Sequence, residues 1–155
     1  MRKVCPLRNW IAIARWMAAA IVLLAAVGCG DEPFRIVPVS GKVTYEDGTV
    51  ITAPRLAIHF EPQLQPIEGK FYPKAATAEV DPATGEFSMM TTHKMGDGAI
   101  LGEHHVYIVP MTQLGTAAWR GVVPYEYTTP DTSPLSATVT RSGETFEFKV
   151  PKPKK

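Results

Sequence analysis

The stretch Val37-Pro38-Val39-Ser40-Gly41-Lys42-Val43-Thr44-Tyr45 places an apolar or small residue at every second position. Successive side chains of a β-strand point to opposite faces of the sheet, so this alternation produces one apolar face and one polar face. The next three residues, Glu46-Asp47-Gly48, have the composition of a turn. The stretch therefore predicts a half-buried strand that ends near residue 45.

The same period of two returns along the rest of the chain, in segments separated by turn residues such as Asp81-Pro82-Ala83-Thr84-Gly85. No window after residue 29 has the 3.6-residue period of an amphipathic helix. Seven short strands with alternating faces predict an all-β domain over residues 37–150, in the form of a seven-stranded antiparallel sandwich. The six further segments are 55–61, 76–80, 86–89, 104–109, 135–140 and 145–150.

The first 28 residues differ in character from the rest, because they contain four basic residues and no acid. An apolar run, 16–27, follows the last of these basic residues, and Gly28 precedes Cys29. This order is that of an export signal, with a basic region, an apolar region and a small residue at the cleavage site. The run is about a dozen residues, shorter than the ~20 of a spanning helix. It predicts a helical signal segment at 1–28; the alternative is an uncleaved anchor over 10–27.

The end of this segment, Ala26-Val27-Gly28-Cys29, resembles the lipobox of bacterial lipoproteins, although alanine stands where leucine is commonest. The resemblance implies cleavage before Cys29, diacylglycerol on its sulfur and acylation, typically palmitate, of the new amine. Two or three chains anchor a protein stably where a single chain does not. The expected product is a membrane-anchored protein of the cell envelope that faces the periplasm or the exterior. Residues 29–36 then form the lipidated cysteine and a tether.

Charge and cysteine content limit the partners of the expected mature chain. All fifteen acids lie beyond residue 30, against twelve lysines and arginines, which gives a net charge near −3. A mildly acidic domain without a basic stripe argues against nucleic acid as a partner.

Removal of Cys5 with the signal leaves Cys29 without an internal disulfide partner. The tail 151–155 is predicted to be disordered.

Four segments, in their order along the chain, resemble the carboxypeptidase-regulatory-like domains of small bacterial lipoproteins, which are transthyretin-like sandwiches. His104 stands where that family usually has tyrosine, and Thr129 where it usually has aspartate. The resemblance spans residues 37–150 and implies the same sandwich fold. It does not imply peptidase activity, since in carboxypeptidases this module accompanies a separate zinc enzyme. The four segments are 39–45 (V-x-G-x-V-x-Y), 81–87 (D-x-x-G-x-F with one extra residue), 102–108 (G-x-Y-x-V-x-V) and 124–135 (P-x-x-Y-x-D-x-x-T-S-P-L).

The sequence lacks the motifs that are typical of zinc enzymes and of transthyretin-like hydrolases. No histidine is followed by glutamate three positions later, and the Tyr-Arg-Gly-Ser ending of transthyretin-like hydrolases is replaced by Pro-Lys-Pro-Lys-Lys. The best metal candidates are His93, His104 and His105, but neighbouring strand residues point to opposite faces. We expect His104 at the edge of the core and His105 in solvent, with no enzyme activity, metal or cofactor.

Three aromatic residues, Trp119, Tyr125 and Tyr127, cluster in the long connection 111–134. Aromatic side chains on a loop at the end of a sandwich can stack on sugars or anchor a partner. The alternative is that the loop folds over the core and buries them. The chain is thus expected to be a non-catalytic envelope module, structural or protein-binding, whose partner is an envelope protein. A polysaccharide or small-ligand binder that uses the 111–134 loop, with a glycan as partner, is the alternative.

Overall fold

The strands of the structure form where apolar side chains alternate with polar ones. The computed structural model describes residues 33–153; the predicted signal segment 1–28 and Cys29 lie outside the described residues. Within that range no helix is long and apolar enough to cross a membrane. The described elements are β1 (Ile36–Val37), β2 (Val39–Tyr45), β3 (Arg55–Pro62), β4 (Ala76–Glu79), β5 (Glu86–Phe87), β6 (Ala99–Ile100), β7 (Gly102–Met111), a 3-10 helix (Tyr125–Thr128), β8 (Leu135–Val139) and β9 (Glu144–Val150).

The strands form two larger sheets and a small one, so the predicted all-β class is confirmed. One sheet has the order β5-β2-β9, the second has the order β4-β3-β7-β8, and β1 pairs with β6. Each of the seven predicted segments contains a strand, but the first, 37–45, is divided at Pro38 between β1 and β2, and the short strand β6 is additional. The predicted strand 86–89 ends at Phe87, because Met89 has a φ of 52°, which is incompatible with extended backbone.

The expectation of a wholly antiparallel sandwich is wrong for one pair of strands. β2 and β9 run parallel over seven residue pairs, from Val39 opposite Glu144 to Tyr45 opposite Val150. The remaining strand pairs of the sheets are antiparallel. Alternation along a strand fixes which face is buried but carries no information on the direction of its neighbour, so the sequence pattern did not reveal this pairing.

Phe60 of β3 lies at the centre of the core and connects the two larger sheets. Its side chain is fully buried. Its ring centroid is 6.1 Å from that of Phe87 on β5, and 5.7 and 5.8 Å from those of Phe146 and Phe148 on β9. His104 of β7 packs on it edge to face at 5.6 Å. Because Phe60 belongs to one sheet and the three phenylalanines to the other, the sheets pack face to face as a sandwich.

Ordered structure extends into segments that the sequence analysis assigned to the tether and to the tail. Phe34 is buried, and the Leu101 N–H donates to the carbonyl oxygen of Arg35 at 2.9 Å. At the other terminus, the ammonium group of Lys152 pairs with the Asp47 carboxylate. The folded domain therefore includes residues on both sides of the predicted range 37–150.

The long strand β7 defines two opposite ends of the sandwich. Its first residue, Gly102, follows Leu101, which binds Arg35 near the start of the described chain. At its other end the carbonyl oxygen of Pro110 accepts a hydrogen bond from the Ala118 N–H at 2.7 Å. A ten-residue strand is about 30 Å long. The chain therefore enters the domain at one end, and the connection that carries Trp119 begins at the other.

Candidate functional site

The candidate site lies in the connection between β7 and β8, and main-chain hydrogen bonds fix its position. The Thr112 N–H donates to the carbonyl oxygen of Thr116 at 2.8 Å, which turns the chain back along the end of β7. Ala117 then forms a bridge with Met111. These bonds hold the next residues, including Trp119, beside the end of the sandwich that lies away from Arg35 and Leu101.

A second set of bonds ties this connection to β2. The N–H groups of Val122 and Val123 donate to the carbonyl oxygen of Trp119 at 3.0 and 3.1 Å. The Tyr45 hydroxyl donates to the carbonyl oxygen of Val122 at 2.7 Å. Val123 is buried in the core. The backbone around Trp119 is thus anchored on both sides and presents its side chain in a fixed direction.

Trp119 and Tyr125 form an aromatic pair on this backbone. Their ring centroids are 5.1 Å apart and the planes are inclined by 55°. Trp119 packs partly against the core, whereas Tyr125 is 53% exposed. The guanidinium carbon of Arg120 lies 5.7 Å from the centroid of the Trp119 ring, within the range of a cation–π contact. The result is a partly open aromatic surface with a positive charge beside it.

Tyr127, the third predicted residue, lies on the same 3-10 helix as Tyr125 but in a different environment. Its side chain is partly buried and packs against the core. Burial raises the pKa of its phenol, and the negative charges of Glu46 and Glu126 raise it further. The structure therefore brings Trp119 and Tyr125 together and gives Tyr127 a packing role.

The three histidines that were metal candidates lie in separate environments. His104 was expected at the edge of the core but is fully buried, and its Nε2 donates to the carbonyl oxygen of Ile100 at 2.7 Å. The exposed His105 has Nδ1 at 3.0 Å from the carbonyl oxygen of Pro130. His93 has Nδ1 at 3.5 Å from the Lys74 ammonium nitrogen. In residues 33–153, no group of three histidine, cysteine or acidic side chains is placed to hold a metal ion.

A groove lined by methionines was missed by the sequence reasoning. It has a volume of about 570 Å³, and Met89, Met95 and Met111 lie along it. Arg55 and Glu79, also in its lining, form an ion pair with 2.8 Å between Nε and Oε1. Two of these methionines, Met89 and Met95, fall within the short segment 88–98. That density of methionine is the sequence signal that could have pointed to the groove.

The aromatic pair is the arrangement best suited to hold a ligand. Exposed aromatic faces stack on sugar rings or receive apolar side chains of a partner, and a neighbouring cation adds affinity for polar or anionic groups. The chain matches no protein-family model, and comparisons with curated proteins and with solved structures found none that matches it. The ligand class is therefore inferred from the site itself.

Proposed function

We propose that this protein is a lipoprotein of the bacterial cell envelope, anchored by acyl chains on Cys29 and carrying a non-catalytic, structural or protein-binding sandwich. The observation that carries the proposal is the order of basic residues, apolar run and Ala26-Val27-Gly28-Cys29. That order is typical of an exported chain whose cysteine is acylated. The carboxypeptidase-regulatory-like type of the sandwich, in the transthyretin-like group, is part of the same proposal.

The arrangement of the domain supports a role in presenting a binding surface. The described chain starts beside Leu101, at one end of β7, and the Trp119–Tyr125 pair follows the other end. A membrane anchor that precedes residue 33 would hold the first end near the lipid and leave the aromatic pair facing away. A partner in the periplasm or outside the cell would then meet the pair without hindrance from the membrane.

The contacts of the histidines favour a non-catalytic module. His104 and His105 each hydrogen-bond a main-chain carbonyl, so both rings are used to hold the fold. The stacked pair of His59 and Tyr107 is likewise formed between neighbouring strands of one sheet, at a centroid distance of 4.7 Å. These side chains serve packing and strand connection.

Metabolic labelling with a palmitate analogue tests the anchor. We expect label on the native chain and none on Cys29→Ser, because the sulfur is the proposed attachment point. Cys5→Ser is the matched control: its cysteine lies in the segment that is removed, so label should persist. Label retained on Cys29→Ser, or a mature chain that still carries its first 28 residues, contradicts the proposal.

The alternative is a module that binds polysaccharide or another small ligand, and the exposed Trp119–Tyr125 pair beside Arg120 favours it. Retention of the lipidated protein on a glycan array tests this function. Binding that is lost in Trp119→Ala and Tyr125→Ala but kept in Tyr72→Ala supports it, since Tyr72 is an exposed tyrosine of another loop. Native protein that binds no glycan removes the alternative. If crosslinking recovers a partner protein with the native chain but not with Tyr125→Ala, the result favours the protein-binding module.

A further inference from the structure

The loop between β3 and β4 carries a short hairpin at its tip. The Ile67 N–H donates to the carbonyl oxygen of Phe71 at 3.0 Å, and the Lys70 N–H donates to that of Ile67 at 3.1 Å. Glu68 and Gly69 have φ values of 52° and 63°. Positive φ at both central residues is what a tight type I′ turn requires. The tip is therefore a hairpin of defined backbone conformation.

The side chains on this hairpin are apolar, aromatic and exposed. Ile67 is 38% exposed, Phe71 47% and Tyr72 65%. A single exposed apolar residue is ordinary, but three within six residues concentrate apolar surface on this hairpin, which points to an interaction. Lys70 and Lys74 flank the aromatic residues and outnumber the one acid of the tip, Glu68. The hairpin thus combines apolar rings with positive charge.

The hairpin grows from the end of the sandwich at which the described chain begins. The Gln63 N–H donates to the carbonyl oxygen of Glu103 at 2.8 Å, which fixes the base of the loop beside the start of β7. The Leu64 side chain lies within 4 Å of the place that a Cβ on Gly102 would take, and the preceding residue, Leu101, binds Arg35. The first residues of the domain and the base of the hairpin therefore share one end, opposite the Trp119–Tyr125 pair.

A lipid anchor would bring this end to the membrane surface. Pro33 follows Cys29 by four positions, and four extended residues span at most about 14 Å. The domain would then be unable to move far from the headgroups, and the hairpin at that end would lie within their reach. Tyrosine is enriched at membrane interfaces, and lysine is attracted to anionic headgroups.

We infer that the hairpin Ile67–Tyr72 is a second membrane contact, which inserts Ile67, Phe71 and Tyr72 into the lipid interface and sets the orientation of the domain. This inference rests on the proposed lipid anchor. Lys70 and Lys74 contact anionic headgroups, and the two contacts together fix the Trp119–Tyr125 pair on the side away from the membrane.

Spin-label depth measurement tests the inference on the full chain, expressed with its own signal and reconstituted in vesicles of phosphatidylethanolamine and phosphatidylglycerol. Nitroxides are attached to Phe71→Cys and Tyr72→Cys, two positions that tolerate change because both are exposed. We expect both labels at about 5–10 Å into the headgroup and acyl boundary, the depth of interfacial apolar residues. The matched control is Leu114→Cys, 94% exposed and in the connection after β7, whose label should stay in water.

The outcomes separate this inference from the anchor itself, because the mass of the mature chain reports acylation of Cys29. If the chain is acylated but the labels at 71 and 72 are as accessible to water as the label at 114, the inference is overturned and the anchor is left intact. An unacylated chain overturns the anchor, and the hairpin contact then stands only if both labels are still shielded. Labels shielded in native envelope membranes but not in vesicles identify a protein at the hairpin and overturn lipid insertion.

Discussion

The hydroxyl group of Tyr45, the last residue of β2, donates a hydrogen bond to the carbonyl oxygen of Val122 at 2.7 Å, across 77 residues of sequence. Burial raises the pKa of this phenol above its ordinary value of 10.0, so the hydroxyl remains a donor also at mildly alkaline pH. Val122 also binds the carbonyl oxygen of Trp119 through its N–H. One side chain of the sheet therefore holds the backbone that presents the aromatic pair.

Tyr45→Phe should lower the free energy of unfolding by about 1 kcal/mol, because the bond is lost and the Val122 carbonyl is left without this donor. Hydrogen exchange around residues 119–123 should accelerate more than exchange in β7. Urea unfolding and exchange measured by mass spectrometry check both effects. Tyr72→Phe is the control, since its ring is exposed. Equal exchange in the native chain and Tyr45→Phe would show that the connection is held by other contacts.

Phe60→Ala should be far more damaging, because Phe60 is fully buried between the two sheets and contacts aromatic rings of both. Truncation of a buried phenylalanine costs about 3–5 kcal/mol. The midpoint of urea unfolding should fall accordingly, and a chain near its stability limit would not fold. Phe71→Ala removes an equally large but exposed ring and should change stability by less than about 0.5 kcal/mol. Similar losses in the two variants would contradict the central position of Phe60.

Stability should also fall between pH 6.5 and pH 4, through His59. Burial lowers the pKa of this ring from 6.5 to about 4. As the pH is lowered through that window, the unfolded chain therefore binds a proton before the folded chain does. The contribution of His59 to the free energy of unfolding is complete above pH 6.5 and is lost as the pH falls. The shift corresponds to about 3 kcal/mol. Burial also lowers the pKa of His104, which acts in the same direction.

Urea unfolding at several pH values checks this slope. His59→Phe keeps a ring beside Tyr107 but removes the titrating group, so its unfolding free energy should depend less on pH across the window. The slope is compared between pH 6.5 and pH 5, because carboxylates contribute at lower pH: the pKa of Glu79, for example, is lowered by its hydrogen bond from Arg55, and its contribution is lost as the pH falls through its ordinary value of 4.5. An unchanged slope in His59→Phe would contradict the assignment to His59.

The all-β class and the apolar faces were predictable because burial leaves a period-two pattern in sequence. Val39, Val43 and Tyr45 follow it and are buried in the structure. The strand β6 was not predictable, since two residues, Ala99 and Ile100, are too short to show a period. The parallel pairing of β2 with β9 was also hidden, because contacts between residues distant in sequence decide which strands meet.

The candidate site was predictable in composition but not in geometry. Aromatic density in a long connection pointed to Trp119 and Tyr125, and the structure pairs them. The hydrogen bond that fixes their backbone comes from Tyr45 on a remote strand, which no local pattern indicates. The exposed residues Phe71 and Tyr72 were overlooked for a related reason, because the sequence of a loop does not show at which end of the folded domain the loop lies.

Gly41, in the middle of β2, should not tolerate replacement even by alanine. A Cβ at this position would lie 2.6 Å from the Phe87 ring and closer still to the carbonyl oxygen of Phe146. The oxygen belongs to the backbone of the parallel strand β9 and cannot move without breaking the pairing. Gly41→Ala should therefore destabilise the domain by about 1–3 kcal/mol or more through overpacking.

Gly48→Ala separates this steric effect from the conformational cost of replacing a glycine. Gly48 has a φ of 81°, and no atom lies within 4 Å of the place that an alanine methyl group would take, so its substitution strains the backbone without a clash. That strain costs about 1–2 kcal/mol, and it leaves the contacts of Phe87 with Phe148 unchanged. Gly41→Ala should in addition shift the near-ultraviolet spectrum of the core aromatic rings. A Gly41→Ala chain with native unfolding midpoint and native spectrum would show that β2 and β9 are not as closely paired as the structure places them.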